Sequence, residues 1–179
     1  MATVDPADLV WIDESGSHIG MTPTHARAPR GERVWDDVPR NRGVVTTMIG
    51  ALTTRGLATV MTIEGGTDAE VFQAFVEQEL SLVLRPGMTV VLDNAGAHKV
   101  SGVLAAITAC GAQVRFLPPY SPEFNPIEMA WSKLKTLLRK AKARTREALD
   151  TAIAAAMKAI DAQDSAGWIR ASGYAIEVP

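Results

Sequence analysis

A single cysteine, Cys110, stands in 179 residues, so no disulfide can form within the chain and the cross-linked design of small secreted domains is excluded. Cys110 closes an apolar helical pattern, where a packed thiol is the ordinary reading and a reactive one the exception. Apolar runs are short. None approaches the roughly 18 residues that read as a transmembrane helix, and no membrane partner is expected. The first ten residues, MATVDPADLV, lack the basic start and apolar centre of a secretory signal. These absences point to a reducing, cytoplasmic setting. A surplus of one charge is missing too: 18 Lys and Arg against 20 Asp and Glu leave a net charge of −2, so the total does not mark a nucleic-acid binder.

What is present is the composition of a globular protein, with 47% apolar and 21% charged residues. The length suits one domain, residues 1–179, with a core of useful size. Charge is unevenly distributed. Lys133, Lys135, Arg139, Lys140, Lys142, Arg144 and Arg146 form a run with no acid inside it. Such a run is often only a solvated face, but without neutralising acids it also suits a phosphate backbone. A second basic group, Arg27, Arg30, Arg33, Arg40 and Arg42, is diluted by Glu32, Asp36 and Asp37. No spacing of Cys and His suits zinc.

The pattern along the chain is that of an α/β protein. Leu9 to Ile12 reads as a buried strand that runs into Asp13-Glu14 and a turn at Ser15-Gly16-Ser17. Residues 21–43, with Pro23, Pro29 and Pro39, read as a long irregular excursion with a short strand near Val34-Trp35. Val44 to Leu52 and Leu57 to Ile63 form a hairpin around Thr54-Arg55-Gly56. Thr67 and Glu70 have capping-box spacing, and the helix they open carries apolar residues from Val71 to Leu84 and ends at Pro86-Gly87. Met88 to Leu92 reads as a central strand covered on both faces. A helix from about Ala97 to Cys110, stopped at Gly111, leads to a strand at Val114 to Leu117 as a parallel crossover. After a proline-rich connector, Pro118 to Pro126, comes a helix with Ile127, Ala130, Trp131, Leu134, Leu137 and Leu138 on one face. Thr145 caps a last long helix bearing Leu149, Ile153, Met157 and Ile160. The sum is a five-stranded mixed sheet covered by helices, with the first and fourth strands as central neighbours.

That topology brings three acids together. Asp13 and Asp93 end adjacent parallel strands spaced about 4.8 Å apart, and strand ends are where open α/β sheets build sites. Glu128, on the first turn of the helix after the connector, leans over the same edge. Hard oxygen ligands suit Mg²⁺ or Mn²⁺, and two such ions can clamp a phosphodiester. Like charges so crowded call for cations. Each acid also has an ordinary explanation. Asp13 can begin a turn, Asp93-Asn94-Ala95-Gly96 can be a strand-to-helix loop or a phosphate-accepting site, and Asn125-Pro126-Ile127-Glu128 can be a capping box. Glu14 should face away from Asp13 by strand alternation. Asn94 and His98 are candidates for orienting a ligand or touching phosphate, with helix-start packing or hydrogen bonding preferred for His98. His18 and His25 read as loop residues.

Three segments carry a family resemblance. VWIDESG (Val10 to Gly16), LDNAGAHK (Leu92 to Lys99) and LPPYSPEFNPIEMAW (Leu117 to Trp131) resemble, in order, the three acidic blocks of the mariner-type DDE transposases, in their bacterial insertion-sequence branch. Asp93 and Glu128 have 34 residues between them, the spacing for which that Asp-Asp-Glu branch is named. The resemblance covers roughly residues 8–160. It implies a ribonuclease-H-like fold, Asp13, Asp93 and Glu128 as a triad holding two Mg²⁺ or Mn²⁺ ions, hydrolysis of DNA at transposon ends and attack of the freed 3′-hydroxyl on target DNA, typically at TA. It implies DNA as partner, a nucleoid-associated location, and a homodimer that pairs two ends. The excursion holding Arg27, Arg30 and Arg33 falls where mariner-like enzymes carry an extension, suited to DNA or to a second subunit. Lys133, Lys135, Arg139 and Lys140 are expected to follow the DNA backbone. The helix-turn-helix module that full transposases carry at their N-terminus is not visible, so end recognition is expected from a separate segment. Alternatives are another ribonuclease-H-like nuclease, a transposase remnant that binds DNA without cutting it, and, remotely, a receiver-like domain, which explains Asp93 but not the block around Glu128.

Overall fold

Alternation along the first strand decides how the molecule is layered. The structure, a computed structural model, describes residues 4–176. Strand β1 (Leu9–Ser17) turns Leu9 and Trp11 to one face and Val10 and Ile12 to the other, and all four are buried. A strand apolar on both faces must be central and covered twice. On one side β1 pairs antiparallel with β2 (Thr46–Thr53), which turns into β3 (Gly56–Glu64). On the other it pairs parallel with β4 (Thr89–Leu92), and β4 pairs parallel with β5 (Gln113–Phe116). Among the described residues these form one mixed sheet in the order β3-β2-β1-β4-β5.

Helices α1 (Ala69–Gln78) and α2 (Ser101–Ala109) cover one face, packing Phe72, Phe75, Val103 and Ile107 on Val10, Ile12, Val90 and Leu92. Helices α3 (Ile127–Ala141), α4 (Arg146–Lys158) and α5 (Ala162–Ala171) cover the other, packing Trp131, Leu134, Ile153 and Ile169 around Leu9, Trp11, Met48 and Val91. Each such side chain contributes roughly 1.5–3 kcal/mol when taken fully from water. No helix among the described residues is long and apolar enough to cross a membrane.

The five-stranded mixed sheet, its hairpin and its central β1/β4 pair follow the sequence reading, and six details differ. Helix α1 stops at Gln78 and gives way to a 3₁₀ turn at Leu80–Leu82 instead of running to Pro86. β1 does not turn at Ser15 but continues to Ser17, because β2 pairs with it as far as Ser17↔Thr46. No strand forms at Val34-Trp35. That stretch is exposed and finds no neighbouring strand. The cap of α1 is Asp68, whose carboxylate accepts from Val71 N at 2.9 Å, and not Thr67; a carboxylate answers the positive helix end better than a hydroxyl. Gly96–Lys99 is a short 3₁₀ turn and α2 starts only at Ser101. The helix capped by Thr145 ends at Lys158, before Ile160, and is followed by a further helix, α5, opened where Asp161 and Asp164 form a reciprocal capping box.

Candidate active site

The odd face of β1 that carries Leu9 and Trp11 continues to Asp13, and the even face continues to Glu14. Asp13 therefore looks toward α3, and Glu14 toward the α1 and α2 side. The parallel register Trp11↔Val91 places Asp13 and Asp93 each two residues beyond their last paired position, on the same edge of the sheet. Glu128, exposed in the first turn of α3, completes the rim. A cleft of about 380 Å³ separates them, lined by the three acids, by Asn94 and Asn125, and by the loop Pro118–Pro122.

Asp13 is the most perturbed of the three. Burial raises its pKa most, and the charge of Glu128, then those of Glu14 and Asp93, add to the effect. Against a lowering backbone hydrogen bond, the result is about 7 in place of 3.8. Its Oδ2 accepts a hydrogen bond from Trp131 Nε1 at 3.1 Å. Trp131 reaches it because Gly50, the residue opposite Asp13 on β2, leaves the space open. A Cβ there would sit 2.6 Å from Trp131 Cη2. Glu128 and Trp131, three positions apart, lie on neighbouring turns of one helix face.

Asp93 accepts from Ala95 N at 2.9 Å and lies 2.6 Å from His98 Nδ1. His98 is buried, stacks on Phe72 with ring centroids 4.1 Å apart, and meets Glu14 Oε1 through Nε2 at 3.1 Å. Burial lowers its pKa, but the Glu14 hydrogen bond and the charges of Glu14 and Asp93 outweigh it and raise the value overall. Packing and hydrogen bonding thus account for His98, and Asn94 Nδ2 donates to Leu117 O, tying the end of β4 to the start of the proline-rich loop.

The donor set fits a hard divalent cation in its chemistry. It consists of carboxylate oxygens, one of which, Asp13, has its pKa raised to about 7 by burial first and by the charge of Glu128 next, beside a buried Asn125 Oδ1 with no hydrogen-bond partner. Among the described residues no three His, Cys, Asp or Glu side chains are already grouped for one ion. Asp13 is turned to Trp131 and Asp93 to Ala95 and His98, so an ion would draw on carboxylates that the protein now satisfies. Asn125 does not cap α3 as its capping-box spacing suggests. Pro126 takes the cap position without a side-chain hydrogen bond.

The basic run is less free than it reads in one dimension. Lys133 pairs with Asp164, Lys142 with Asp36 at 2.6 Å, and Arg146 with Asp150 at 2.9 Å and Glu64 at 3.4 Å. Arg144 donates to the carbonyls of Ile19 and Met21. Acids distant in sequence supply the counter-charge. Lys135, Arg139 and Lys140, and on the excursion the exposed Arg27, Arg30 and Arg33, make no ion pair among the described residues. In the sequence Trp131 reads as core alone, and its spacing from Glu128 is the available sign of a second role. Nothing in the linear pattern marks Gly50.

Residues 8–150 match the family described as DDE superfamily endonuclease. The chain belongs to that family. The chain is also similar in structure to the Mos1 transposase. Against a Mos1 strand transfer complex the identity is 18% and the TM-score 0.64, over 96% of this chain and 56% of that one. Against a Mos1 paired-end complex with the left transposon end the figures are 16% and 0.66, over 96% and 57%. Against the Mos1 mariner catalytic domain they are 14% and 0.59, over 96% and 85%. At such identities the likeness carries the fold, which is ribonuclease-H-like. The chain spans little more than half the length of the transposase chains in those complexes. A comparison with curated proteins gives no match.

Proposed function

We propose that this chain is the catalytic domain of a DNA transposase of the insertion-sequence branch, which hydrolyses DNA at transposon ends and joins the freed 3′-hydroxyl to target DNA at TA sites. The observation that carries the reading is the convergence of Asp13, Asp93 and Glu128 on one cleft in a chain of the DDE superfamily endonuclease family. Mos1, its structural relative, has been solved with paired ends and with Mg or Mn. By that likeness the partners are transposon-end and target DNA, a second copy of the chain, and a separate DNA-recognition segment, in a nucleoid-associated location.

Asp13, Asp93 and Glu128 would hold two Mg²⁺ or Mn²⁺ ions. Bound there, such ions activate the attacking oxygen and stabilise the leaving one in an in-line displacement at phosphorus. The remaining work falls to the chain itself. Trp131 orients the Asp13 carboxylate, and the Ala95 N–H and the His98 ring hold Asp93 from the other side. Glu14 fixes the His98 ring through Nε2. Asn94 braces the wall of the cleft through Leu117 O, a supporting role. Arg27, Arg30, Arg33, Lys135, Arg139 and Lys140 supply phosphate-binding charge, while Lys133 serves the α3–α5 contact through Asp164.

A second reading, a remnant that binds DNA without cutting it, draws on the engagement of Asp13 and Asp93 by protein donors and on the lack of a ready three-ligand group among the described residues. Cleavage separates the two. A labelled duplex bearing the element's end should be nicked in Mg²⁺ or Mn²⁺, not in chelator, and not by Asp93→Asn. Binding without metal-dependent nicking by the parent chain would establish the remnant instead.

A further inference from the structure

Tyr120 is the most exposed large hydrophobic side chain among the described residues, at 101% relative exposure, and its backbone lies in the left-handed region with φ +55°. Both features run against the ordinary preferences of tyrosine. An aromatic ring in open water gives up its burial, and a bulky residue at positive φ is strained. Strain of this kind persists only where the surroundings impose it, and it gathers at ligand sites. Here the surroundings do impose it. Pro118 and Pro119 precede the residue and Pro122 follows it. Ser121 Oγ donates to Pro119 O at 3.3 Å, Asn94 ties Leu117 O to the end of β4, and Phe124 O accepts from Tyr174 Oη at 2.9 Å. The ring is thus displayed on a braced loop, not on a floppy one.

Its position gives the display a purpose. Tyr120 lines the same cleft as Asp13, Asp93 and Glu128. A flat π face held beside a phosphodiester-cutting centre meets the base next to the scissile phosphate whenever that base is unpaired, and stacking on an aromatic ring tolerates any base. We infer that Tyr120 is a stacking platform for an unpaired nucleobase of the DNA strand entering the cleft. It is a binding residue that fixes the strand's path over the three acids. The inference rests on the DNA-cutting reading above.

The test uses the full chain and a hairpin oligonucleotide whose unpaired 3′ end carries 2-aminopurine, titrated in Ca²⁺ for binding and in Mn²⁺ for cleavage. Stacking quenches the 2-aminopurine. Parent and Tyr120→Phe should quench it alike, because the face and not the hydroxyl acts. Tyr120→Gly should lose the quenching and weaken binding by roughly tenfold. Because glycine relieves the positive φ, that variant should unfold at a temperature equal to or above the parent's, which separates a lost platform from a damaged fold. Equal quenching, affinity and cleavage in parent and Tyr120→Gly would overturn the inference and leave the nuclease reading standing. Loss in Tyr120→Phe as well as in Tyr120→Gly would overturn stacking in favour of a hydroxyl contact. A parent chain that neither binds nor cuts the DNA would overturn both the inference and the reading beneath it.

Discussion

Asp13 concentrates the chemistry of the molecule in one carboxylate. Its folded pKa is raised, chiefly by burial and then by Glu128, to about 7. Between pH about 4 and about 7 the folded protein holds a proton that the unfolded chain has released. The stability tied to that proton is complete below about pH 4 and is lost as pH rises through 7. At 1.36 kcal/mol per unit the effect is on the order of a few kcal/mol. In chelator, the unfolding temperature of the parent should fall from pH 5 to pH 8. Asp13→Asn should lack that slope and be the more stable of the two at pH 8. Mn²⁺ should restore the parent and leave the variant unmoved, since an ion bound only by the folded state stabilises it. A flat parent profile in chelator would contradict the electrostatic account. Trp131→Phe, which keeps the packing and removes one N–H, should cost about 1 kcal/mol in stability and roughly 10–100-fold in Mn²⁺ affinity by calorimetry. Unchanged metal affinity would assign Trp131 to the core alone. The acids themselves were legible in sequence, since each follows or faces an apolar strand or opens a helix. The groups that touch them were not. Glu14 and His98 are 84 positions apart and Asp13 and Trp131 are 118 apart, distances that only the assembled sheet closes.

At the scale of elements, β1 and α3 set the site between them. The alternation that buries Leu9 and Trp11 against α3 also delivers Asp13 to it, so core and site share one period. Gly50 is where that sharing is most exposed to test. Gly50→Ala would press a methyl against the Trp131 ring, at a cost of about 1–3 kcal/mol. Thermal unfolding should show the loss, and cleavage should fall with it, because the displaced ring carries the Asp13 hydrogen bond. A destabilised variant with full activity would separate packing from positioning. Strands and the β1/β4 pairing could be read from apolar runs and turn residues. The extension of β1 to Ser17 could not, because Ser15, Gly16 and Ser17 are turn formers unless a partner strand claims them. Nor could the end of α4 at Lys158, where a buried Ile160 continues the apolar period past it, nor the further helix α5.

At the scale of the whole molecule, charge is arranged more sparingly than the chain's longest basic run suggests. Four of its seven members are held by Asp164, Asp36, Asp150 with Glu64, or backbone carbonyls. Lys140→Glu, at an exposed and unpaired position, should weaken DNA binding and flatten its salt dependence by about one phosphate contact. Lys133→Ala should instead lower stability by up to about 1 kcal/mol with little change in the salt slope. Equal effects on binding from both would restore the run as one continuous DNA face. The central claim, that Asp13, Asp93 and Glu128 form one metal-dependent centre, is tested most directly by anomalous diffraction from crystals soaked in Mn²⁺. The account predicts manganese in the cleft, bounded by these three carboxylates, with Asp13 drawn from Trp131, and no such peak in Asp93→Ala. An empty cleft at millimolar Mn²⁺, or manganese held elsewhere with the triad untouched, would contradict it.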